Sequence, residues 1–438
     1  MAMVVKNNIG AVRTLNTLNS NSSALQKSLS KVSSGMKITG AQDDASGYAI
    51  SERMRVRIRA LDQANQNAQN DSSLMKTAEG AVGNTVEILR ALKEKAINAA
   101  NDSNTDEDRA TIQKEINQFI DQIDDNALVQ FNGKYLIDGS KNNAVCSTQT
   151  VLLNQSLASG NKVASALTTL SDRAGNALEI LTSDKYQVSW VKNGVVSTTS
   201  GAVSTNTLST LIESATSGSK AYDADSNGIN SGGIKDKFNE VLYTPDKKEG
   251  VALVAESTGV ADQISGFTIS IMDHDGNVKK AANAALDQFK QYQRAENLTA
   301  GGDKALNFHI GSEANVAIKV GMTDMRAEAL GLKGSTGSRI SVATKELANG
   351  SINAIENALT KALDQQTTIG AIEARLEYTS TNLTTSSENV QAAESTIRDA
   401  DMAKEMTNYT KANVLLQSAQ AMLAQANQSS SGVLSLLQ

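Results

Sequence analysis

One proline, Pro245, and one cysteine, Cys146, occur in 438 residues, together with two histidines and an aromatic fraction of only 3%. Average usage would supply about twenty prolines. Because proline removes a backbone donor and clashes with the preceding turn, its scarcity permits unusually long helices. A lone cysteine cannot close a disulfide within the chain, so the fold is not a disulfide scaffold. Two histidines and one cysteine leave no usual ligand set for zinc. Few aromatics weaken the case for one large globular core, and the length predicts two or more domains. Net charge is −6, which argues against a general nucleic-acid binder or a polybasic membrane anchor. No run of 18 apolar residues exists, and the start, "MAMVVKNNIG", has neither a sustained apolar segment nor a small-residue cleavage site. The expectation is a soluble chain, either cytosolic or exported by a route other than a cleavable signal. The motifs H-E-x-x-H, G-x-S-x-G and G-x-x-x-x-G-K-[ST] are also missing, so we expect no enzyme and no cofactor.

What is present begins with a pattern shared by the two ends. Ala11, Leu15, Leu18, Ser22, Leu25, Leu29, Val32 and Met36 alternate spacings of four and three. Ala412, Leu416, Ala419, Leu423, Ala426, Ser430, Val433 and Leu437 do the same. Such a narrow seam returns every 3.5 residues, the coiled-coil period. Left alone, each seam would face water, so each end needs a partner, and the other end is the obvious candidate.

Between these ends the helical pattern continues. Residues 46–100 contain no proline, and Met54, Ile58, Leu61, Ala64 and Ala68 mark an apolar stripe that Val82, Val86, Leu89 and Ala96 resume. At ~1.5 Å per residue such a helix is about 80 Å long. "TDED" then predicts a new helix, with Thr105 as N-cap, acidic residues in its first turn, and Ile112, Ile116, Phe119 and Ile123 on its buried face. Ile369, Ile372, Leu376, Leu383, Val390, Ala393 and Ile397 form the matching C-terminal seam, extended upstream by Ile355, Leu359 and Ala362.

The middle reads as β-rich. "FNGKYLI" and "YQVSWVKNGVVSTT" place Asn-Gly between β-branched and aromatic runs, a strong hairpin signal, and "GFTISIMDHDGNVKK" repeats it with Asp275-Gly276. Val316, Ile318, Val320 and Met322 alternate as a half-buried strand does. Residues 197–250, rich in Ser, Thr, Gly, Asn and Asp, predict exposed loops. The fold class expected is mainly α, with long antiparallel helical-hairpin or coiled-coil rods made by both chain ends and a β-rich central outer region.

Candidate chemistry is sparse. "DADSNG" supplies Asp223, Asp225 and Asn227 at the first positions of a calcium loop, but Ile234 stands where a bidentate glutamate is required. An Asx-rich surface turn is the favoured reading, weak calcium binding the alternative. The Asp-Gly turn accounts for Asp273, His274 and Asp275, and His309 reads as a strand residue. Arginines 53, 55, 57 and 59 spread around a helix, which favours solvated or inter-subunit ion pairs over a phosphate site.

"SSGMKI", "DDASGYAIS", "NAQN" and "TAEGA" at one end, with "IRDADMAKE" and "AQANQ" at the other, occur together and in order. Roughly residues 1–140 and 305–438 resemble bacterial flagellins. The resemblance implies a structural subunit that polymerises into a helical filament for motility, rather than an enzyme. It divides the chain into an inner coiled-coil domain (1–44 with 400–438, including a spoke at 33–47), a helical rod domain with β-hairpins (45–176 with 305–399), and a variable outer domain (177–304). Other expectations follow from the same resemblance: unfolded export through the flagellar type III apparatus, folding at the distal tip, and an extracellular location. A hook–filament junction protein, a minor flagellin and an adhesin acting through the central domain are the alternatives.

Implied partners are further copies of the chain, an export chaperone at about 400–438, filament cap and hook-junction proteins, and the animal Toll-like receptor for flagellin, with no nucleic acid and no membrane. The receptor reads an L-Q-R-[VM]-R-E-L motif, and this chain has "ILRALKEKAI". The key arginine falls on Lys93, its glutamate on Glu94 and the next leucine on Lys95, with Arg90 one turn earlier and Glu115 on the following helix. Lysine lacks the planar fork of arginine, so weakened recognition is expected. For the inner seam we expect Leu15, Leu18, Leu25, Leu29 and Val32 to face Leu416, Leu423, Val433, Leu434 and Leu437. The segment with Gly35, Gly40, Asp43, Asp44 and Gly47 reads as a joint between helices, with Asp43 or Asp44 capping the second.

Overall fold

Seven helices emerge among the described residues: α1 (Ile9–Ser34), α2 (Ala45–Ala99), α3 (Asp106–Ala127), α4 (Leu208–Ala215), α5 (Lys280–Leu286), α6 (Lys345–Arg398) and α7 (Met402–Leu436). The computed structural model describes residues 8–436 apart from 216–217, 226–227, 230–232 and 299–300. The strands are β1 (Gln130–Phe131), β2 (Lys134–Tyr135), β3 (Val151–Asn154), β4 (Lys185–Lys192), β5 (Val195–Ala202), β6 (Lys220–Asp225), β7 (Gly228–Ile229), β8 (Gly250–Val254), β9 (Ile264–Met272), β10 (Lys290–Gln293), β11 (Leu306–His309) and β12 (Ala317–Val320). With no proline to interrupt them, α2 and α6 run for 55 and 54 residues, α2 passing through Gly80 and Gly83.

Local chemistry sets the helix ends. The Asn8 side chain accepts from the Ala11 N–H to start α1, and Gly35, left-handed at φ 71°, returns its N–H to the Lys31 carbonyl to stop it. Thr105 and Asp108 form a reciprocal capping box at α3. Arg109, buried in the same turn, donates to the carbonyls of Ala99 and Asn101 and so closes the bend from α2.

The contacts divide the chain into two compact units. The first comprises Met1–Ala68, His309–Val316 and Tyr378–Gln438. In it α1 and α7 pair antiparallel, as Asn8 donates to the Ala426 carbonyl and Asn21 to the Leu415 carbonyl. A small apolar cluster of Leu61, Ala64 and Leu383, with Val390 against it, joins the parts of α2 and α6 that belong to this unit. Asn65 and Asp62 add hydrogen bonds to Ser380 and Ser387.

The second unit comprises Gln69–Phe308 and Ala317–Glu377. Its helical part buries Met75, Val82, Val86 and Leu89 of α2, Ile116, Ile120 and Ile123 of α3, and Ile355 and Ile369 of α6. Phe119 and Ile112, expected on the buried face of α3, are half-buried, and Ile120 takes the inner place. Ion pairs cross between these helices at Lys95–Glu115 (2.8 Å) and Lys93–Glu356 (3.3 Å). The β part holds a five-stranded antiparallel sheet ordered β10-β3-β8-β6-β7 and a three-stranded one ordered β5-β4-β9. Both Asn-Gly hairpins form, with Asn132-Gly133 and Asn193-Gly194 all at positive φ. Phe267 of β9 meets Phe289 edge-on, ring centres 5.0 Å apart, beneath α5.

Two expectations change. Asp275-Gly276 does not join two strands: it turns β9 through a single Met272–Val278 bridge into α5. Residues 197–250 are not all loop, because Leu208, Leu211 and Ile212 at helical spacing bury one face of α4, and β6 pairs with β8. β3 at Val151–Asn154, ahead of residue 177 in the chain, is buried in the five-stranded sheet together with β6, β7, β8 and β10.

The two units differ in depth of core, which stability measurements can read. Leu89→Ala, at 0% exposure, should cost about 3 kcal/mol in chemical denaturation. Leu18→Ala, half-buried on α1, should cost under about 1 kcal/mol. Equal costs would contradict the burial described here.

Candidate functional site

The α1–α7 hairpin and the joint after α1 carry the functional surface of the first unit. On α1 the half-buried residues are Ala11, Thr14, Leu18, Asn21, Ser22, Leu25, Ser28, Lys31 and Val32, and no α1 residue is fully buried. Leu15 and Leu29, expected in the seam, are 45% and 51% exposed. The physical reason is register. Ala11, Leu18, Leu25 and Val32 repeat every seven residues, and the second line of the seam runs through Thr14, Asn21 and Ser28, one position before Leu15 and Leu29, while the expected Ser22 is half-buried beside Asn21. Polar residues therefore occupy half of the inner line, while two leucines sit on its flank.

On α7 the inward positions among the described side chains are Ala412, Leu416, Ala419, Leu423 and Ala426, with Ala412 and Ala419 buried. Val414, Leu415 and Met422 point outward at 59%, 44% and 57% exposure. Val433 and Leu434 lie in α7, but their side chains are outside the described residues, as is Leu437.

The joint is a compact strap. Met36 bridges Asp399, the Lys37 N–H donates to the Arg398 carbonyl at 2.8 Å, and the Ala400 N–H donates to the Gly35 carbonyl at 2.9 Å. Asp43 accepts from both the amide and the hydroxyl of Thr39. Asp44 caps α2, its carboxylate accepting from the Ser46 and Gly47 N–H groups at 3.0 Å while its carbonyl accepts from Tyr48. A Cβ on Gly47 would stand 2.6 Å from the Asp44 carboxylate and 2.8 Å from Ile38 Cδ1, so only glycine fits without displacing the cap. Gly35 supplies the left-handed stop, whereas Gly40 has open space around it and no positive φ.

Arg398, which the pattern analysis did not single out, is the hub of this strap. It is 5% exposed, donates to Ser51 and Glu52, reaches Met36 Sδ through Nε, and lies 5.2 Å from the centre of the Tyr48 ring. Arg55 and Glu394 pair beside it at 3.0 Å. A buried guanidinium needs this many partners to offset its lost hydration. The available sequence signal was a single arginine ending a long helix, immediately before "DAD".

The remaining candidates are scattered. Asp223 is on β6, its carboxylate accepting from the Val163 N–H at 2.7 Å; the Asp225 side chain and Asn227 are outside the described residues. Arg90 and Glu94 are exposed on α2, Arg90 paired with Glu87. Lys93 pairs with Glu356, and Glu115 on α3 pairs with Lys95. No group of three potential metal ligands occurs among the described residues, and no helix among them is long and apolar enough to cross a membrane.

Two chain ends that pair through a shallow, half-polar seam and leave leucines, valine and methionine bare define a structural subunit of the self-assembling kind. Residues 5–142 match the family model for the bacterial flagellin N-terminal helical region, and residues 352–437 that for the bacterial flagellin C-terminal helical region. The chain is 33% identical over 430 residues to a flagellin of Clostridium tyrobutyricum, covering 97% of this chain and 99% of that protein. It is 29% identical over 455 residues to flagellin of Bacillus subtilis strain 168, covering 99% and 100%. It is also 27% identical over 439 residues to a flagellar filament 30.7 kDa core protein of Treponema maltophilum, covering 99% and 100%. The chain belongs to the bacterial flagellin family, and its function is that of a structural subunit of the flagellar filament.

Two measurements test the joint. Asp44→Ala should cost about 1 kcal/mol, read as fraying at the start of α2 by hydrogen exchange. Asp43 is held below the ordinary carboxylate range first by the Thr39 hydroxyl and then by its amide, and Glu52 first by the Arg398 hydrogen bond. Depressed carboxylates stabilise the fold above their unfolded pKa, and that contribution is lost as pH falls through the lower folded value. Amide exchange over residues 36–52, corrected for intrinsic rates, should therefore stay slow above about pH 4.5 and accelerate below about pH 4. Arg398→Met should show the fast behaviour already at neutral pH. Unchanged protection in that variant would remove Arg398 from its central place.

Proposed function

We propose that neighbouring copies in the filament cover the outward side chains of the terminal hairpin, with Leu15, Leu29, Leu415 and Met422 as principal contacts. The observation that carries this reading is the inverted economy of α1, which turns Thr14, Asn21 and Ser28 toward its partner helix and leaves Leu15 and Leu29 in water. A pair of helices with so little buried surface gains most of its order on association. Addition is then coupled to folding at a growing end. The inner domain of 1–44 with 400–438, the rod of 45–176 with 305–399 and the outer segment of 177–304 describe how the chain is arranged across the filament wall. Gly35, Asp43, Asp44 and Gly47 shape the spoke between the first two.

The same reading covers the route and the partners. The chain leaves the cell unfolded through the flagellar type III apparatus, guarded by a chaperone at about residues 400–438, and adds at the distal tip between hook-junction and cap proteins to form an extracellular filament. Recognition by the Toll-like receptor for flagellin is weakened. Lys93 offers a point charge in place of a planar fork, Lys95 brings a charge to an apolar contact, and both lysines are engaged in ion pairs.

Electron microscopy of purified chain under seeding conditions tests the assembly. Long helical filaments are expected, and deleting residues 412–438 should abolish them while most helicity of the second unit remains. Leu15→Ser with Leu29→Ser should leave monomer helicity nearly unchanged and raise the critical concentration at least about tenfold, since burying each leucine contributes about 1.5–3 kcal/mol and each 1.4 kcal/mol is a decade. Wild-type filament growth in the double variant would sink the proposed contacts.

A further inference from the structure

The second unit contains a cavity of about 210 Å³ that filament assembly, as described, does not use. Its wall includes Lys361 of α6, Glu296, Thr323, Asp324, Arg326 and Ala329. Lys361 is 5% exposed, and its Nζ donates to the Ala329 carbonyl at 2.8 Å, its one hydrogen bond among the described residues. An ammonium has three N–H groups, so two of them have no acceptor among the described residues. Arg326 is occupied differently, its Nε donating to both Asp324 oxygens at 3.1 Å. Glu296 and Asp324 are the carboxylates that act on Lys361, and Arg294 is the opposing cation. Arg294 pairs with Asp364 through one nitrogen and keeps a buried Nε with no partner.

Burial outweighs the two carboxylates and pushes the lysine down to about 8. A lysine kept only for packing could be replaced by an apolar side chain of similar length without this desolvation cost. At about 210 Å³ the cavity is larger than a single water requires, so a molecule of a few heavy atoms fits beside the amine.

We propose that Lys361 is a nucleophilic amine that captures small aldehydes or ketones in this cavity as a Schiff base. The neutral amine keeps one N–H on the Ala329 carbonyl and presents its lone pair to the cavity. Attack on the carbonyl carbon forms the C–N bond and breaks the C=O π bond, and the proton that the nitrogen gives up passes to the oxygen to give a carbinolamine. Loss of that hydroxyl as water, with a proton passed through Glu296, leaves the C=N bond. Addition of water reverses every step, and no oxidant or reductant takes part.

Reductive labelling of the full chain tests this. Glyceraldehyde with cyanoborohydride at pH 7.5, followed by peptide mass spectrometry, should modify Lys361 at least about tenfold faster than the exposed Lys247 and Lys248. The rate should rise with a midpoint near pH 8, and the preference should vanish when the chain is unfolded in urea. Labelling of Lys361 no faster than Lys247 and Lys248, or rising only above about pH 10, would overturn the proposal.

Discussion

Two helices share one interface, and whatever does not fit into it stays in water. That constraint governs the ends of this chain. α1 and α7 run antiparallel, yet α1 buries no residue fully and, among the described side chains of α7, only Ala412 and Ala419 are buried. Small residues let the helices approach, but they bring little apolar area. Leucines that would have deepened the contact stand one position away, on the flank. A hairpin of this kind is stable enough to have a direction and a register, and too shallow to be self-sufficient.

Unit-one order then depends on the strap where the hairpin meets α2 and α6. Here a two-strand bridge, an N-cap and a buried arginine replace the missing core. Arg398 gathers Ser51, Glu52, Met36 and Tyr48, so residues nearly 350 positions apart are held by one planar group. Polar contacts of this sort are directional, which suits a joint better than an apolar contact that tolerates sliding. Gly47 has its place for the same reason: the Asp44 cap and Ile38 leave no room for a side chain.

The second unit is built on other terms. Its helices bury Met75, Leu89, Ile116 and Ile355 completely, and its sheets enclose two further apolar clusters. Polar and charged groups inside it are exceptions that stand out against a packed background. Lys361 is the clearest of them, a buried amine whose hydrogen bond goes to the Ala329 carbonyl rather than to a carboxylate.

The sequence by itself determined the helical ends, the long uninterrupted α2 and α6, the Asn-Gly hairpins, the α3 cap and the family. All of these are local or periodic: proline absence, heptad spacing, turn dipeptides and short motifs act within a few residues of one another. Only the tertiary structure decided which of two adjacent lines on α1 faces α7, because Thr14 and Leu15 both satisfy a spacing of three or four and the partner helix selects between them. It also decided that β3 belongs to the central sheet, that Asp275-Gly276 leads into a helix, and that Arg398 and Lys361 are buried. Burial depends on residues brought together from distant parts of the chain, and no spacing along a single stretch encodes that meeting.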